Sequence, residues 1–138
     1  MNLVFKNNYP NPDWQKLADL FEEMGWGKRD PDILQTAFER SCKTCIVYDE
    51  DRIIGCGRVL SDGIYYATIY DVLVHPDYQK QKIGTRIMSL LMDNLNDLIF
   101  VHLTSTSGKE GFYSKLGFKA QKTAMGIMSN PNDALIEM

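Results

Sequence analysis

No stretch of this 138-residue chain approaches the roughly 18 apolar residues that would read as a membrane-crossing helix. The opening Met1-Asn2-Leu3-Val4-Phe5-Lys6 lacks the basic start and apolar middle of a secretory signal, so the expected location is cytoplasmic. Cysteine and histidine are scarce, limited to Cys42, Cys45 and Cys56 and to His75 and His102. An odd set of three thiols makes no disulfide framework. Cys42-Lys43-Thr44-Cys45 has metal or redox spacing but no second pair, and the histidines are distant in sequence. It also precedes an apparent strand, whereas a reactive pair is favoured at a helix start, where the thiolate is stabilised. A loop and strand with buried thiols is therefore expected, with no metal. Basic residues are in no excess. A net charge of -3 and a pI near 5.3 argue against nucleic acid or an anionic membrane as partner. Repeats, linkers and low-complexity stretches are lacking too, which leaves one domain over residues 1–138.

What is present is a clear succession of periodicities. Residues 1–6 alternate as a first strand. After Pro10 and Pro12, Asp13 is a candidate N-cap, and Leu17, Ala18, Leu20, Phe21 and Met24 recur at helical spacing until Gly25 and Gly27. Asp30-Pro31 starts a second helix carrying Ile33, Leu34, Ala37 and Phe38. Residues 44–48, 52–60 and 65–74 read as an antiparallel meander separated by polar turns. Ile83, Ile87, Met88, Leu91 and Leu95 mark a helix, and the apolar run 98–103 suggests a strand buried on both faces. A short helix over 110–116 ends at Gly117, and a last β region is expected over 118–128. The strand–helix–strand unit from Thr68 to Leu103 predicts a parallel crossover. The fold class is α/β (α+β): a mixed, mostly antiparallel sheet with a central βαβ unit and helices on both faces.

The most informative segment is Val72-Leu73-Val74-His75-Pro76-Asp77-Tyr78-Gln79-Lys80-Gln81-Lys82-Ile83-Gly84-Thr85, where a strand runs through a polar loop into a helix. Helix starts carry unpaired N–H groups and the positive dipole end, which suits an anion, and Lys80 and Lys82 add charge. This loop resembles the Gln/Arg-x-x-Gly-x-Gly/Ala signature of the GNAT superfamily of acetyl-CoA-dependent N-acetyltransferases. Gln79 and Gly84 match its ends, while Lys82 stands where the family has its first glycine. The resemblance continues in Phe112-Tyr113-Ser114-Lys115-Leu116-Gly117-Phe118, similar to the family's aromatic-Tyr-x-x-x-Gly-Phe helix. Gly25-Trp26-Gly27-Lys28-Arg29, Val59-Leu60-Ser61-Asp62-Gly63 and Ala67-Thr68-Ile69-Tyr70-Asp71-Val72 resemble a subgroup that includes arylalkylamine (serotonin-type) acetyltransferases.

The resemblance implies transfer of acetyl from acetyl-CoA to a primary amine. It assigns coenzyme binding to Val72, Leu73, Val74, Gln79, Lys80, Gln81, Lys82, Ile83, Gly84, Thr85, Thr104, Phe112, Tyr113 and Lys115. It makes Tyr113 the general acid that protonates the leaving thiolate, and a backbone N–H around Val72 the donor to the carbonyl oxygen. An amine with a pKa near 10.4 is neutral in only about one part in 10³ at pH 7. Asp71, within the strand lining the site, is the candidate catalytic base. Trp26, Tyr66, Tyr70 and Met125 are the candidate acceptor contacts; aromatic and methionine walls suit a small aryl- or alkylamine. The alternatives are a non-catalytic acetyl-CoA-binding regulatory module, or acetylation of a protein or peptide amine. Whether the chain forms a homodimer is left open.

Overall fold

The computed structural model describes residues 2–7 and 11–129. They fall into two compact units, one ending at Leu103 and one beginning at Thr104. The first holds a five-stranded sheet in the order β1-β2-β3-β4-β5, with β1 (Leu3–Asn7), β2 (Lys43–Asp49), β3 (Arg52–Ser61), β4 (Tyr66–Val74) and β5 (Phe100–Leu103). The first four strands are antiparallel, and β5 joins β4 in parallel through the crossover helix α3 (Ile83–Met92).

Two helices lie between β1 and β2: α1 (Trp14–Glu23) and α2 (Pro31–Glu39). Asp13 caps α1 by accepting from the N–H groups of Gln15 and Lys16, and Asp30 caps α2 through Asp32 and Ile33. Helix α1 ends in a Schellman motif. Gly25 takes φ +81°, its N–H donates to Glu22, and the Trp26 N–H donates to the carbonyl of Phe21. The Trp26 ring then stands edge-on to Phe21 at 6.0 Å.

Alternation along β3 divides the two faces. Cys56 belongs to the core built by Leu17, Leu20, Phe21, Leu34, Phe38 and Ile46 under α1 and α2. Gly55 and Gly57 point the other way, towards α3. A Cβ at Gly57 would lie 2.7 Å from Leu91 Cδ1 and 3.0 Å from Ile87 Cγ2, so the glycine lets α3 settle directly on the strand. Helices thus cover both faces of a mixed, mostly antiparallel sheet.

Four sequence expectations are corrected. Ile33 is 72 % exposed. The buried stripe of α2 is centred on Leu34 and Phe38, one turn apart, and Ile33 sits about 100° round the helix from Leu34. The strand expected over 98–103 begins at Phe100 and is not buried on both faces: Phe100 is 38 % exposed and its successors half-buried. It is an edge strand, with β4 on one side and no described strand on the other. Residues 118–128 form no strand, since no neighbouring ladder pairs with them among the described residues. The thiols divide as well: Cys45 and Cys56 are buried and Cys42 is exposed. Burial pushes the Cys45 thiol up to about 12 and raises Cys56 well above its ordinary value, so both are inert core groups. Among the described residues no helix is long and apolar enough to cross a membrane.

Candidate functional site

The first unit's site begins with an irregularity in β4. Cys56 pairs with Leu73 and Arg58 with Tyr70, so Asp71 and Val72 together oppose the single residue Gly57. This is a β-bulge, and Asp71 takes φ +58° within it. A left-handed non-glycine residue costs about 1–2 kcal/mol, and aspartate is among the residues that tolerate it best.

Both flanking residues of β3 hold the bulge. The Cys56 thiol donates to the Asp71 carbonyl at 3.2 Å, and Arg58 Nε donates to Asp71 Oδ2 at 2.7 Å. The pair is well shielded, with side-chain exposures of 16 % for Arg58 and 9 % for Asp71. Arg58 is itself fixed: Nη1 donates to Ser41 Oγ at 3.4 Å, and the guanidinium carbon lies 5.4 Å from the Tyr70 ring and 5.8 Å from the Phe38 ring. Arg58 is a site residue that the sequence reading missed. Its signal was a charge inside the glycine-rich, otherwise apolar run of β3, with Asp71 inside the neighbouring strand.

Beyond the bulge, β4 outruns its parallel neighbour. The β4–β5 pairing stops at Ile69 and Leu103, while β4 continues to Val74. The Leu73 carbonyl lies against Gly55 of β3, and the His75 N–H donates to Ile54 at 2.7 Å. Alternation therefore turns the backbone groups of Val74 away from β3, to the side that β5 does not reach. The Val74 carbonyl accepts there from Gln79 Nε2 at 3.0 Å, so Gln79 ties the loop back to the strand.

Past Val74, His75 Nδ1 accepts from the Asp77 N–H at 3.1 Å, and Nε2 lies 2.8 Å from Glu23 Oε2 and 3.0 Å from Arg52 Nη2. A short turn, Pro76–Tyr78, follows; Tyr78 is buried and donates its hydroxyl proton to Asp49. These contacts anchor the loop's base. Its tip has the opposite character: Lys80, Gln81 and Lys82 are exposed, and Lys80 and Lys82 take φ +65° and +61°. Lys82 is the N-cap of α3 and makes no side-chain cap. The first N–H groups of α3 thus begin uncapped beside two lysines, and left-handed residues interleaved with other conformations make the concave amide arrays that hold anions. Ile83 and Leu73 bury their side chains in the core and offer the site backbone alone; Gly84 and Thr85 lie in the first turn of α3.

In the second unit, α4 (Glu110–Lys115) ends in the same device as α1. Gly117 has φ +98° and donates to Ser114, while the Phe118 N–H donates to the Tyr113 carbonyl at 3.1 Å. The Tyr113 ring stands edge-on to Phe112 at 4.9 Å and to Phe118 at 6.1 Å. Burial raises the Tyr113 phenol above its usual range, so the proton stays on its oxygen through neutral pH. Thr104 and Lys115 are exposed and Phe112 is half-buried. Met125 is 85 % exposed.

The acceptor candidates of the first unit are not gathered together. Tyr70 stands beside Arg58 and Asp71, Tyr66 lies at the start of β4 opposite Phe100, and Trp26 closes the end of α1.

A β-bulge that opens a strand beside an uncapped, lysine-flanked helix start, on a sheet of this order, defines an α/β fold with an anion-suited loop at the end of its fourth strand. The acetyltransferase (GNAT) domain family matches residues 40–120, and the chain belongs to that family. It is similar to the uncharacterized N-acetyltransferase ycf52 of Gracilaria tenuistipitata var. liui, with 33% identity over 81% of this chain and 64% of that protein. The ycf52 protein of Porphyra purpurea is 30% identical over 83% of this chain and 70% of its own length. A soybean (Glycine max) protein named histone acetyltransferase TAP1 is 31% identical over 87% of this chain. The chain spans about three fifths to seven tenths of the length of these relatives. Among solved structures, a meticillin-resistant Staphylococcus aureus protein of unknown function superposes with a TM-score of 0.79 at 26% identity, covering 94% of this chain and 100% of that one. A GNAT family acetyltransferase from Streptococcus pneumoniae gives 0.77 at 23% identity, covering 93% and 99%, and supports the fold.

Proposed function

We propose that this chain is an acetyl-CoA-dependent N-acetyltransferase acting on a small aryl- or alkylamine. The observation that carries the reading is the opened end of β4, with the Val74 carbonyl turned away from β3 beside the uncapped start of α3.

The residues present fit acetyl-CoA. Lys80, Lys82 and the first amides of α3, with Gln81, Ile83, Gly84 and Thr85, would hold the pyrophosphate. Val72, Leu73 and Val74 would run along the pantetheine arm as an added strand does. Family resemblance adds Thr104, Phe112 and Lys115 as further coenzyme contacts. Acetyl-CoA supplies the activated acyl group; the chain supplies position, a backbone donor and a proton. The Val72 N–H would face the carbonyl oxygen, and Tyr113, still protonated at neutral pH, would give its proton to the departing sulfur. The exposed ring of Tyr70, beside the Arg58–Asp71 pair, supports an aromatic or apolar amine.

The test is calorimetric titration with acetyl-CoA, then a panel of tryptamine, tyramine, phenethylamine, spermidine and a lysine-bearing histone-tail peptide, followed by thiol release at pH 8. Amine-dependent release is expected, with kcat falling about 10²-fold or more in Tyr113→Phe while the acetyl-CoA Kd stays within a few-fold. Turnover of the peptide alone would replace the small-amine reading. Binding with no release for any amine would point to the regulatory module, and no binding would sink the proposal.

A further inference from the structure

Asp71 Oδ2 carries the Arg58 Nε–H at 2.7 Å in a shielded pair, and this constrains what Asp71 can do. A general base needs a lone pair free to reach the amine proton; Oδ2 is tied to Arg58 of β3, so only Oδ1 is left for such a task. The backbone of Asp71, in turn, stays left-handed at φ +58° inside a strand only if its surroundings hold it there. We infer that Arg58 and Asp71 are a positioning pair: the Arg58 guanidinium clamps the Asp71 bulge, and the bulge sets which amides β4 presents beyond the end of β5. The inference deepens the acetyl-transfer reading of the same site and, for its consequence in turnover, rests on it.

The geometry gives each part its task. The bulge places two residues against Gly57, so the alternation of β4 is reset between Tyr70 and Leu73. Were the extra residue ironed out, the strand would slip by one, and the backbone and side chain of Val72 would exchange directions. The clamp has three supports. Cys56 holds the Asp71 carbonyl, Arg58 holds the carboxylate, and Ser41 with the rings of Phe38 and Tyr70 holds Arg58. The Ser41 hydroxyl is itself tied to the Ala37 carbonyl at 2.9 Å, which runs the connection into α2. Arginine suits this position because its planar fork can donate along Nε and Nη1 at once while its face lies over rings; lysine offers a single point charge. Aspartate suits its own position because it tolerates left-handed φ and supplies the acceptor.

The experiment uses the full chain and three variants, Arg58→Met, Arg58→Lys and Asp71→Asn. The first readout is amide hydrogen exchange in the free protein. Arg58→Met is expected to speed exchange at residues 71–74 by about 10-fold or more, with α1 and β2 amides unchanged, and Arg58→Lys to restore part of the protection. The second is acetyl-CoA affinity, expected to weaken about 10-fold in Arg58→Met. The third is the pH profile of kcat with the best amine of the panel. Asp71→Asn keeps an acceptor and a left-handed-tolerant residue, so turnover should drop about 3- to 10-fold with the profile's shape retained. Loss of about 10³-fold in Asp71→Asn, with the acidic limb gone and exchange unaltered, would make Asp71 the base and overturn the inference. Unchanged exchange and affinity in Arg58→Met would overturn it as well. If Arg58→Met does not fold, Arg58→Lys and Asp71→Asn decide between the same outcomes. A wild-type chain that binds no acetyl-CoA would defeat the functional reading alone, and the exchange data would still settle the clamp.

Discussion

Lys80 and Lys82 both occupy left-handed backbone, where only glycine is free of steric cost. At position 82 the family signature carries glycine, and the loop of this chain keeps the glycine-like conformation while presenting a lysine. Lys82→Gly should therefore stabilise the free protein by about 1 kcal/mol, seen as a higher urea midpoint at unchanged slope, while weakening acetyl-CoA several-fold. Lys82→Ala separates the two effects: affinity falls, but stability does not rise. Asp62 makes a second case at this scale. Its Oδ1 accepts from the N–H groups of Ile64 and Tyr65 at 2.8 Å and Tyr66 at 3.1 Å, and these bonds hold the carboxyl below its ordinary range. A lowered folded value means stability present above the unfolded value of about 4 and lost as pH falls through the folded one. Asp62→Asn should thus flatten the decline of the urea midpoint between about pH 4 and pH 2. Legible in the sequence were Gln79 and Tyr113, which match the motifs, and Lys82, which departs from one. The sequence hid the Arg58 pairing, because the register of β3 on β4 at a bulge depends on two strands at once.

Helices and strands were legible wherever one face settles the period. The caps Asp13 and Asp30, the stop at Gly25 and the stripe Ile83, Ile87, Met88, Leu91 all appear where their spacing placed them. The aromatic-x-x-x-Gly-aromatic pattern proves to be a helix stop in its own right, used at Phe21-Trp26 and again at Tyr113-Phe118. Strands misled where the neighbour decides: the apolar run before Leu103 reads as central but lies at an edge among the described residues. Gly57 offers a sharp test of packing at this scale. Gly57→Ala puts a methyl 2.7 Å from Leu91 Cδ1 and 3.0 Å from Ile87 Cγ2, and both side chains are fully buried. The crowding should cost about 1–3 kcal/mol in urea unfolding, with the midpoint lowered and the slope kept. Asp13→Ala, which removes two cap bonds at the exposed start of α1, should cost about 1 kcal/mol by the same measurement. A Gly57→Ala penalty near zero would mean that α3 lifts from β3 freely, contrary to the packing described.

At the scale of the whole molecule, the anion-holding loop and the opened strand belong to the first compact unit and Tyr113 to the second. The proposed coenzyme contact of the loop can therefore be tested apart from the proposed proton donor. A ligand that binds only the folded chain stabilises it by about 2.7 kcal/mol at 100 times its Kd. For a chain of this size that corresponds to a rise of roughly 5–10 °C in Tm. Acetyl-CoA at that excess should produce such a rise in the wild type and in Tyr113→Phe alike, if the phenol oxygen serves proton delivery, as proposed, rather than anchoring. In Lys82→Ala, at the same ligand concentration, the rise should be smaller, because the pyrophosphate loses a charge at the start of α3. Salt provides the control. Exposed lysines are screened within about 10 Å at 0.1 M ionic strength, so moving from 0.05 to 0.5 M salt should shrink the wild-type rise more than the Lys82→Ala rise. Equal shrinkage in the two proteins would show that Lys82 contributes conformation alone. Loss of the rise in Tyr113→Phe would instead give the Tyr113 hydroxyl an anchoring role beside the transfer of its proton.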